Sequence, residues 1–208
     1  MYVPRFNAVQ DETEIRAMVA ATRTAWFVTV GPNGVPAATL LPIMWQRDTV
    51  IAHMAKGNPQ WREIKPEAAA LLIVAGPEAY ISPSWYATKA EHGKVVPTWN
   101  YSAVHLTGTV RVHEDPEWLR TAVTELTNLH EHGREHPWQP TDAPARYVEG
   151  QLRGIVGLEV TITRVDGKAK LSQNRSDADQ EGVIDALLNE PFPGAVEVAA
   201  AMSRTRED

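Results

Sequence analysis

The sequence predicts an α+β fold that is mainly β, and three observations support this class. Several segments alternate apolar and polar side chains, as residues 156–163 do, which is typical of half-buried strands. An Asn-Gly pair at residues 33–34 separates two such segments, which favours a hairpin and an antiparallel start to the sheet. Elsewhere, apolar residues at helical spacing follow good N-cap residues, so helices are expected around the strands.

The elements can be assigned in chain order. A first helix begins after Asp11, and strands are predicted at residues 26–30, 35–43, 49–54, 68–75, 103–113 and 156–163. Further helices are predicted after Asp115, over residues 141–152, and after Ser176, which forms a capping-box pattern with Asp179. An Asp-Gly pair at residues 166–167 predicts a turn into residues 168–174. Residues 191–208 are expected to be a frayed tail of a single domain spanning residues 1–208.

Composition and charge exclude several classes of function. The chain has 20 basic and 26 acidic residues, a net charge of −6, and no basic run, which argues against direct DNA binding. Cysteine is absent, so disulfides, thiolate nucleophiles and cysteine-based zinc sites are excluded. There is no long apolar run and no signal-peptide pattern at the start, so we expect a cytoplasmic protein without a membrane span.

An aromatic stretch from Tyr80 to Tyr101 is the most unusual part of the sequence. It combines two Trp and three Tyr with the charged segment Lys89–Lys94. Aromatic rings can stack on a flat ligand, and lysines can pair with its phosphate or carboxylate. A long loop anchored to the core by its aromatic ends would have the same pattern, so the ligand site and the anchored loop both stay open.

A second candidate site begins at His53, at the end of a predicted strand. Lys56 follows in a Gly-containing turn, and Asn58 and Pro59 are favourable residues for starting a helix that carries residues 60–64. Backbone N–H groups at a helix start attract an anion, and a lysine adds a full charge. This segment predicts a phosphate site, although a plain strand-to-helix junction with a solvated lysine is the alternative.

Three histidines near residue 130 do not have the spacing of a metal site. His130 and His132 are two residues apart, which places them on different faces of a helix, and Gly133 separates them from His136. We interpret this segment as a solvated helix end, and no metal site is predicted from the residue pattern.

Four sequence blocks together resemble a known family. They are M-Y-V-P at the start, H-M-A-K-G-N-P-Q-W at residues 53–61, the whole stretch of residues 80–101, and K-L-S-Q-N-R at residues 170–175. In this order they resemble the PaiB family, the FMN-binding negative transcriptional regulators of bacteria. The resemblance implies a split β-barrel with peripheral helices, related to the pyridoxamine phosphate oxidase-like flavoproteins. It also implies a homodimer with FMN in a groove between subunits.

The resemblance also implies roles for individual residues. One group would hold the phosphate and ribityl chain: His53, Ala55, Lys56, Asn58 and Trp61. Thr39 and Leu41 would lie near the isoalloxazine edge, although they can also be plain sheet residues. Others would face or close the groove: Trp99, Asn100, Ser102, Lys170, Ser172 and Gln173. Lys89, Glu91, His92 and Lys94 would form a charged flap.

A second set of relatives leaves the cofactor open. Piperazate synthases, haem-dependent enzymes that form an N–N bond, resemble the same family in several of these blocks. In them the segment corresponding to Lys89–Lys94 is shorter, so its presence here favours the flavin-binding branch. A neutral imidazole suits haem iron, which makes His53 a candidate axial ligand in the haem hypothesis.

Three functional hypotheses therefore follow. The first is an FMN-binding split-barrel protein, acting as a flavin-dependent oxidoreductase or a flavin-gated regulator of transcription. The second is a haem enzyme of the piperazate-synthase type, with haem b bound through His53. The third is a repressor that contacts DNA directly, which the charge disfavours.

Overall fold

The computed structural model describes residues 1–206 of the 208-residue chain and contains eight strands and six α-helices in that range. The strands are β1 (Ala8–Val9), β2 (Thr24–Val30), β3 (Pro36–Pro42), β4 (Met44–Gln46), β5 (Thr49–Ala55), β6 (Ala68–Ile81), β7 (Thr98–His113) and β8 (Ile155–Lys170). The helices are α1 (Glu12–Thr22), α2 (Thr88–His92), α3 (Pro116–Glu131), α4 (Ala145–Leu152), α5 (Asp177–Leu187) and α6 (Ala195–Arg204). None of the helices in this described range is long and apolar enough to cross a membrane.

The strands form one sheet in the order β3-β2-β6-β7-β8-β5-β4, and β1 pairs with β8. The β2–β3 hairpin is antiparallel and pairs Trp26 with Leu40, as the Asn-Gly turn predicts. β5 pairs antiparallel with β8, and His53 lies opposite Gly157. The α+β class and the antiparallel start of the sheet are therefore confirmed.

The chain divides into two compact units that are interleaved in sequence. Unit 1 contains residues 1–15, 75–104 and 166–208, and unit 2 contains residues 16–74 and 105–165. Strands β6, β7 and β8 each contribute residues to both units. The organisation of residues 1–208 as one domain stays a prediction.

The core of unit 2 is the buried face of its strands. Phe27, Leu72, Leu106 and Leu158 are fully buried, and they come from four different strands, β2, β6, β7 and β8. Strands β2 and β7 alternate buried and more exposed residues over most of their length, because successive side chains of a strand point to opposite faces of the sheet. Helix α3 begins at the predicted cap, where the Asp115 carboxylate accepts the N–H of Trp118 at 2.9 Å.

Two predictions for residues 164–208 are wrong. The Asp166-Gly167 pair does not make a turn, because β8 runs without interruption from Ile155 to Lys170. Gly167 is needed for close packing instead, since a Cβ there would lie 2.9 Å from the Cγ1 of Ile15. The expected tail contains helix α6, whose residues Val198 and Met202 are fully buried. Residues 207 and 208 of that segment lie outside the described range.

The predicted helix after Asn58 is short. Residues Pro59–Glu63 form a single 3₁₀ segment, and the Asn58 side chain caps it by accepting the N–H of Gln60 at 3.0 Å. The final predicted cap is also present, since the Ser176 hydroxyl accepts the N–H of Asp179 at 3.3 Å. The Asp179 carboxylate, however, accepts the N–H and hydroxyl of Thr88 instead of completing a capping box.

Candidate functional site

The predicted site residues fall into two groups, one in each unit. Unit 2 contains Thr39, Leu41, His53, Ala55, Lys56, Asn58 and Trp61. Unit 1 contains Lys89, Trp99, Asn100, Ser102, Lys170, Ser172 and Gln173. The two groups have different chemistry, because the first is built around a polar network and the second around an open cavity.

Gln60 is the centre of the network in unit 2. Its side chain is 4% exposed, and its amide nitrogen donates to the carbonyls of Phe27 and Ala37 at 3.2 and 3.1 Å. The same nitrogen lies 3.0 Å from the Thr29 hydroxyl. These bonds connect the 3₁₀ segment to both strands of the β2–β3 hairpin. Gln60 therefore holds the segment that begins at Asn58 against the hairpin.

Thr39 and Asn58 belong to the same network. The Thr39 hydroxyl donates to the Gln60 carbonyl oxygen at 2.6 Å and accepts the Asn58 amide at 2.9 Å. The Asn58 carbonyl oxygen is used for the cap of the 3₁₀ segment. The two side chains are thus in direct contact, and their polar groups already have partners within the protein.

Lys56 has an acidic partner. Its ammonium lies 2.7 Å from the Glu114 carboxylate, and both side chains are about half exposed. The indole N–H of Trp61 donates to the Lys56 carbonyl at 3.0 Å, which orders the turn between β5 and the 3₁₀ segment. A phosphate at this turn would compete with Glu114 for the same ammonium.

His53 lies on β5, immediately before that turn, and has an unused polar atom. Its Nδ1 is buried and has no hydrogen-bond partner among the described residues. Burial lowers the pKa of His53 below its usual value, because a charged imidazole would lose hydration. The side chain is therefore a neutral imidazole whose buried Nδ1 has no partner among the described residues.

Unit 1 contains a cavity of about 530 Å³. The residues that line the cavity are Tyr2, Pro4, Phe6, Asn7, Tyr86, Val96, Pro97, Thr98, Trp99, Tyr101, Lys168, Lys170, Ser172, Asn174 and Arg175. Five of them are aromatic and three are cationic, while none is acidic. Three predicted site residues, Trp99, Lys170 and Ser172, are among them.

The three cations of this cavity lie on one segment of the chain. Lys168 is 7% exposed, and its ammonium lies 2.6 Å from the Tyr101 hydroxyl. Lys170 donates to the Thr98 hydroxyl at 2.6 Å and to the Trp99 carbonyl. Burial and, after it, the charges of Lys168 and Arg175 hold the pKa of Lys170 below its usual range. An anion in the cavity would relieve this repulsion.

Asn100 and Ser172 support the wall of the cavity. The Asn100 side chain is fully buried and exchanges hydrogen bonds of 2.9 and 3.1 Å with the Ser172 hydroxyl. Ser172 adopts a left-handed backbone with a φ of 64°, which is unfavourable for a residue other than glycine. Such conformations persist only where the surroundings hold them, as the buried pair does here.

The contacts of the remaining predicted residues do not indicate a ligand. Leu41 is a buried core residue, and Ala55 is the exposed last residue of β5. The Gln173 side chain accepts the N–H of Leu171 and donates to the carbonyl of Ala169. Ser102 is buried on β7, and the exposed Lys89 donates to the Ser84 hydroxyl at 3.0 Å. None of these five residues lines the cavity of unit 1.

The sequence did not reveal Lys168 and Arg175 as lining residues, and it indicated Tyr86 only as part of the aromatic stretch of residues 80–101. Lys168 and Lys170 are two positions apart on a continuous strand, so their side chains point to the same face. The spacing of the two lysines could have revealed this, but the turn predicted at Asp166-Gly167 separated them from the preceding strand. Among the residues that the structure describes, no group of three or more His, Asp or Glu side chains could hold a metal ion.

Comparison with known proteins identifies the family. The family model described as "Putative FMN-binding domain" matches residues 1–164. The chain is 35% identical over 206 residues to "Protease synthase and sporulation protein PAI 2" of Bacillus subtilis, which covers 97% of this chain and 96% of that protein. It is 36% identical over 163 residues to an uncharacterized protein of Emericella nidulans, covering 66% of this chain and 65% of that protein.

Solved structures with similar folds agree with the predicted architecture. The FAD and heme binding protein of Mycobacterium smegmatis has a TM-score of 0.62 and 17% identity, covering 90% of this chain and 82% of that chain. The flavocytochrome Anf3 of Azotobacter vinelandii has a TM-score of 0.59 and 18% identity, covering 81% and 72%. At these identities the likeness shows the fold alone, and it confirms the split β-barrel. The chain belongs to the PaiB family of proteins with this FMN-binding domain, as its four sequence blocks predict.

Proposed function

We propose that this protein binds FMN through the unit 2 residues around His53 and uses it as a redox cofactor. The observation that carries the proposal is the buried Nδ1 of His53, which has no partner among the described residues. A buried polar atom without a partner is costly, and a ligand that hydrogen-bonds to it would recover that cost. The match of residues 1–164 to an FMN-binding domain supports a flavin as that ligand.

Lys56 supplies the charge for the phosphate in this proposal. It is the cation of the turn that directly follows His53 and β5, and its only described acidic partner is the solvent-accessible Glu114. An exposed ion pair stabilises a protein by less than about 1 kcal/mol, so a phosphate dianion can compete for the ammonium. Thr39, Asn58 and Trp61 keep the turn in place through the bonds to Gln60 and to the Lys56 carbonyl.

Bound FMN would supply hydride or single-electron transfer, which no side chain of this protein can supply by itself. The chain's own part is to bind and orient the cofactor. His53 stays neutral near pH 7 because burial lowers its pKa, so it can offer either a donor or an acceptor nitrogen. Lys56 holds the anionic end, and the network around Gln60 holds the 3₁₀ segment that follows the turn against the β2–β3 hairpin.

Haem is the second candidate cofactor, and the same imidazole favours it. A neutral histidine with a free nitrogen is also what haem iron requires. The similar structure from Mycobacterium smegmatis is described as an FAD and heme binding protein, which supports testing both cofactors. The segment Lys89–Lys94, which the haem-dependent relatives lack, favours FMN.

Parallel titration of cofactor-free protein with FMN and with hemin tests the proposal. We expect one FMN per chain, measured by quenching of flavin fluorescence, and His53→Ala should weaken this binding by about tenfold, the value of one hydrogen bond. One hemin per chain with a Soret band that disappears in His53→Ala, together with no uptake of FMN, would overturn the flavin proposal.

A role in transcription would then operate through the flavin and not through direct DNA contact. The net charge of −6 and the absence of a basic run oppose binding to phosphates. Any repression by this protein would follow from its ligand or redox state. Binding to its own promoter with a nanomolar Kd at physiological salt would refute this part of the proposal.

We also propose a homodimer, and the β2–β3 hairpin supports it. Strand β3 is at one edge of the sheet. Its outward side chains pair with those of β2 as Leu40 with Trp26 and Pro36 with Val30, and all four are exposed. An apolar sheet face of this kind is covered in most proteins, and two-fold association with a second copy is the commonest way to cover it.

A further inference from the structure

The cavity of unit 1 has charges that the protein does not neutralise. Lys168, Lys170 and Arg175 all line it, and none of the three forms an ion pair with a carboxylate of the described residues. Their described polar partners are hydroxyl and carbonyl oxygens, and Arg175 lies over the Tyr86 ring at 4.6 Å. Three cations held together without an anion favour the binding of an anionic ligand.

Tyr86 provides a second and independent indication of a ligand. Its side chain is 3% exposed and lines the cavity, yet its hydroxyl is buried without a hydrogen-bond partner among the described residues. Buried tyrosine hydroxyls normally have a partner, because an unsatisfied one is destabilising. A polar atom of a bound molecule would satisfy it.

The aromatic lining indicates the shape of that molecule. Trp99 is 53% exposed, and its ring meets that of Tyr80 edge-to-face at 6.1 Å, which leaves it ordered but accessible. Tyr101 packs against the Lys168 ammonium at 4.9 Å from its ring centroid. Flat rings beside cations favour a planar aromatic ligand that carries a negative charge.

The site is also built to hold its shape. The bonds between Asn100 and Ser172 are buried, and they keep Ser172 in its left-handed conformation at the cavity wall. A preorganised wall reduces the entropy lost on binding. A plain surface groove would not need a fully buried polar pair behind it.

We propose that this cavity binds a planar aromatic anion, with a carboxylate or a phosphate, as a second ligand distinct from the flavin. All of the residues that line it belong to unit 1, whereas His53, Lys56 and Asn58 belong to unit 2. Trp99, Lys170 and Ser172, which the family resemblance assigns to the cofactor, are thereby assigned to this second ligand. The proposal goes beyond FMN binding and does not depend on it.

Calorimetric titration with three naphthalene probes tests the proposal. 1-Naphthoate and 1-naphthyl phosphate carry the two candidate anions, and neutral 1-naphthalenemethanol is the control for ring binding alone. We expect at least one anion to bind about tenfold or more tightly than the alcohol, because a charge-assisted hydrogen bond has this value. The tighter of the two anions identifies the acidic group that the site prefers.

Variants of the lining residues test whether the anion binds in this cavity. Lys170→Met should lower the affinity for the preferred anion by at least about tenfold. Tyr86→Phe removes only the unpartnered hydroxyl and should lower the affinity for the preferred anion about threefold to tenfold. Arg204→Met, which removes an exposed cation of the same unit with the same change in net charge, should have no effect. Thermal unfolding checks that each variant folds, and Lys170→Arg should retain binding if Lys170→Met does not fold.

Measuring FMN affinity in the same variants separates this proposal from the function proposed above. If Lys170→Met and Tyr86→Phe leave the FMN affinity unchanged, the second site stands. An equal loss of affinity for FMN and for the aromatic anion would overturn the second site, because both ligands would then occupy the same cavity. Aromatic anion binding in a protein that takes up no FMN would refute the flavin proposal alone. Equal affinity for the anions and the alcohol, or no response to either variant, would overturn the second site.

Discussion

Glu114 is expected to limit the affinity for FMN, and Glu114→Gln tests this directly. The carboxylate lies 2.7 Å from the Lys56 ammonium, which the FMN phosphate is proposed to need. Because both groups are about half exposed, the pair is worth about 0.2–1 kcal/mol. The ion pair must break when the phosphate binds Lys56, so the free energy of FMN binding is less favourable by this amount. Glu114→Gln should therefore strengthen FMN binding by about 1.5- to 5-fold.

Riboflavin and a matched variant provide the controls. Riboflavin has no phosphate, so its affinity should not respond to Glu114→Gln, and fluorescence titrations of both flavins reveal the difference. Glu135→Gln changes the net charge equally at an almost fully exposed position and should affect neither flavin. Lys56→Ala should weaken FMN binding by about 1.5–3 kcal/mol. This loss is smaller by up to about 1 kcal/mol because Glu114 no longer competes with the phosphate in the variant.

The double variant Lys56→Ala with Glu114→Gln tests whether the carboxylate and the phosphate compete for the Lys56 ammonium. With Lys56→Ala already present, Glu114→Gln should add almost nothing, because the ammonium over which carboxylate and phosphate compete is gone. An equal response of FMN and riboflavin to Glu114→Gln would refute the competition. An FMN affinity unchanged by Lys56→Ala would place the phosphate elsewhere in the protein.

Three further predictions concern stability and assembly. Gly108→Ala would place a Cβ 2.1 Å from the Thr161 carbonyl oxygen and should lower the free energy of unfolding in urea by about 3 kcal/mol or more. In Gly57→Ala the added Cβ would have no atom within 4 Å, so this variant should lose less than about 0.5 kcal/mol. Burial lowers the pKa of His53 from 6.5, so the unfolded chain takes up its proton first and stability falls as the pH drops from 6.5 towards the folded pKa. The stability of His53→Gln should not show this part of the decrease at acidic pH, and the same dependence of stability on pH in both proteins would contradict the prediction. Light scattering should give the mass of two chains, with a shift to one chain in Trp26→Lys, because a buried lysine at an apolar interface is unfavourable.

Local sequence patterns determined much of the architecture. The period-two alternation predicted the strands, and the Asn-Gly pair predicted the hairpin that pairs Trp26 with Leu40. The caps at Asp115 and Ser176 were also correct, because a cap depends on residues within one turn of the helix. Four long sequence blocks were enough to indicate the family, because blocks of this length in a fixed order are specific.

Tertiary contacts decided what those patterns could not. The Asp-Gly pair at residues 166–167 has a local preference for a turn, but pairing of β8 with β1 and packing of Ile15 against Gly167 keep it extended. Residues 191–208 have a composition typical of a tail, yet Val198 and Met202 find a buried environment that no local pattern reveals.

The candidate sites show the same division. The sequence alone determined that His53, Lys56 and Asn58 adjoin one turn, because they are neighbours in the chain. Only the folded chain placed Glu114 beside Lys56 and left Nδ1 of His53 buried without a partner among the described residues. It also brought Tyr86 and Trp99 into one cavity with Lys170, residues as far as 84 positions apart in the sequence. Burial and pairing depend on contacts between distant segments, so they become visible only when the strands are in register.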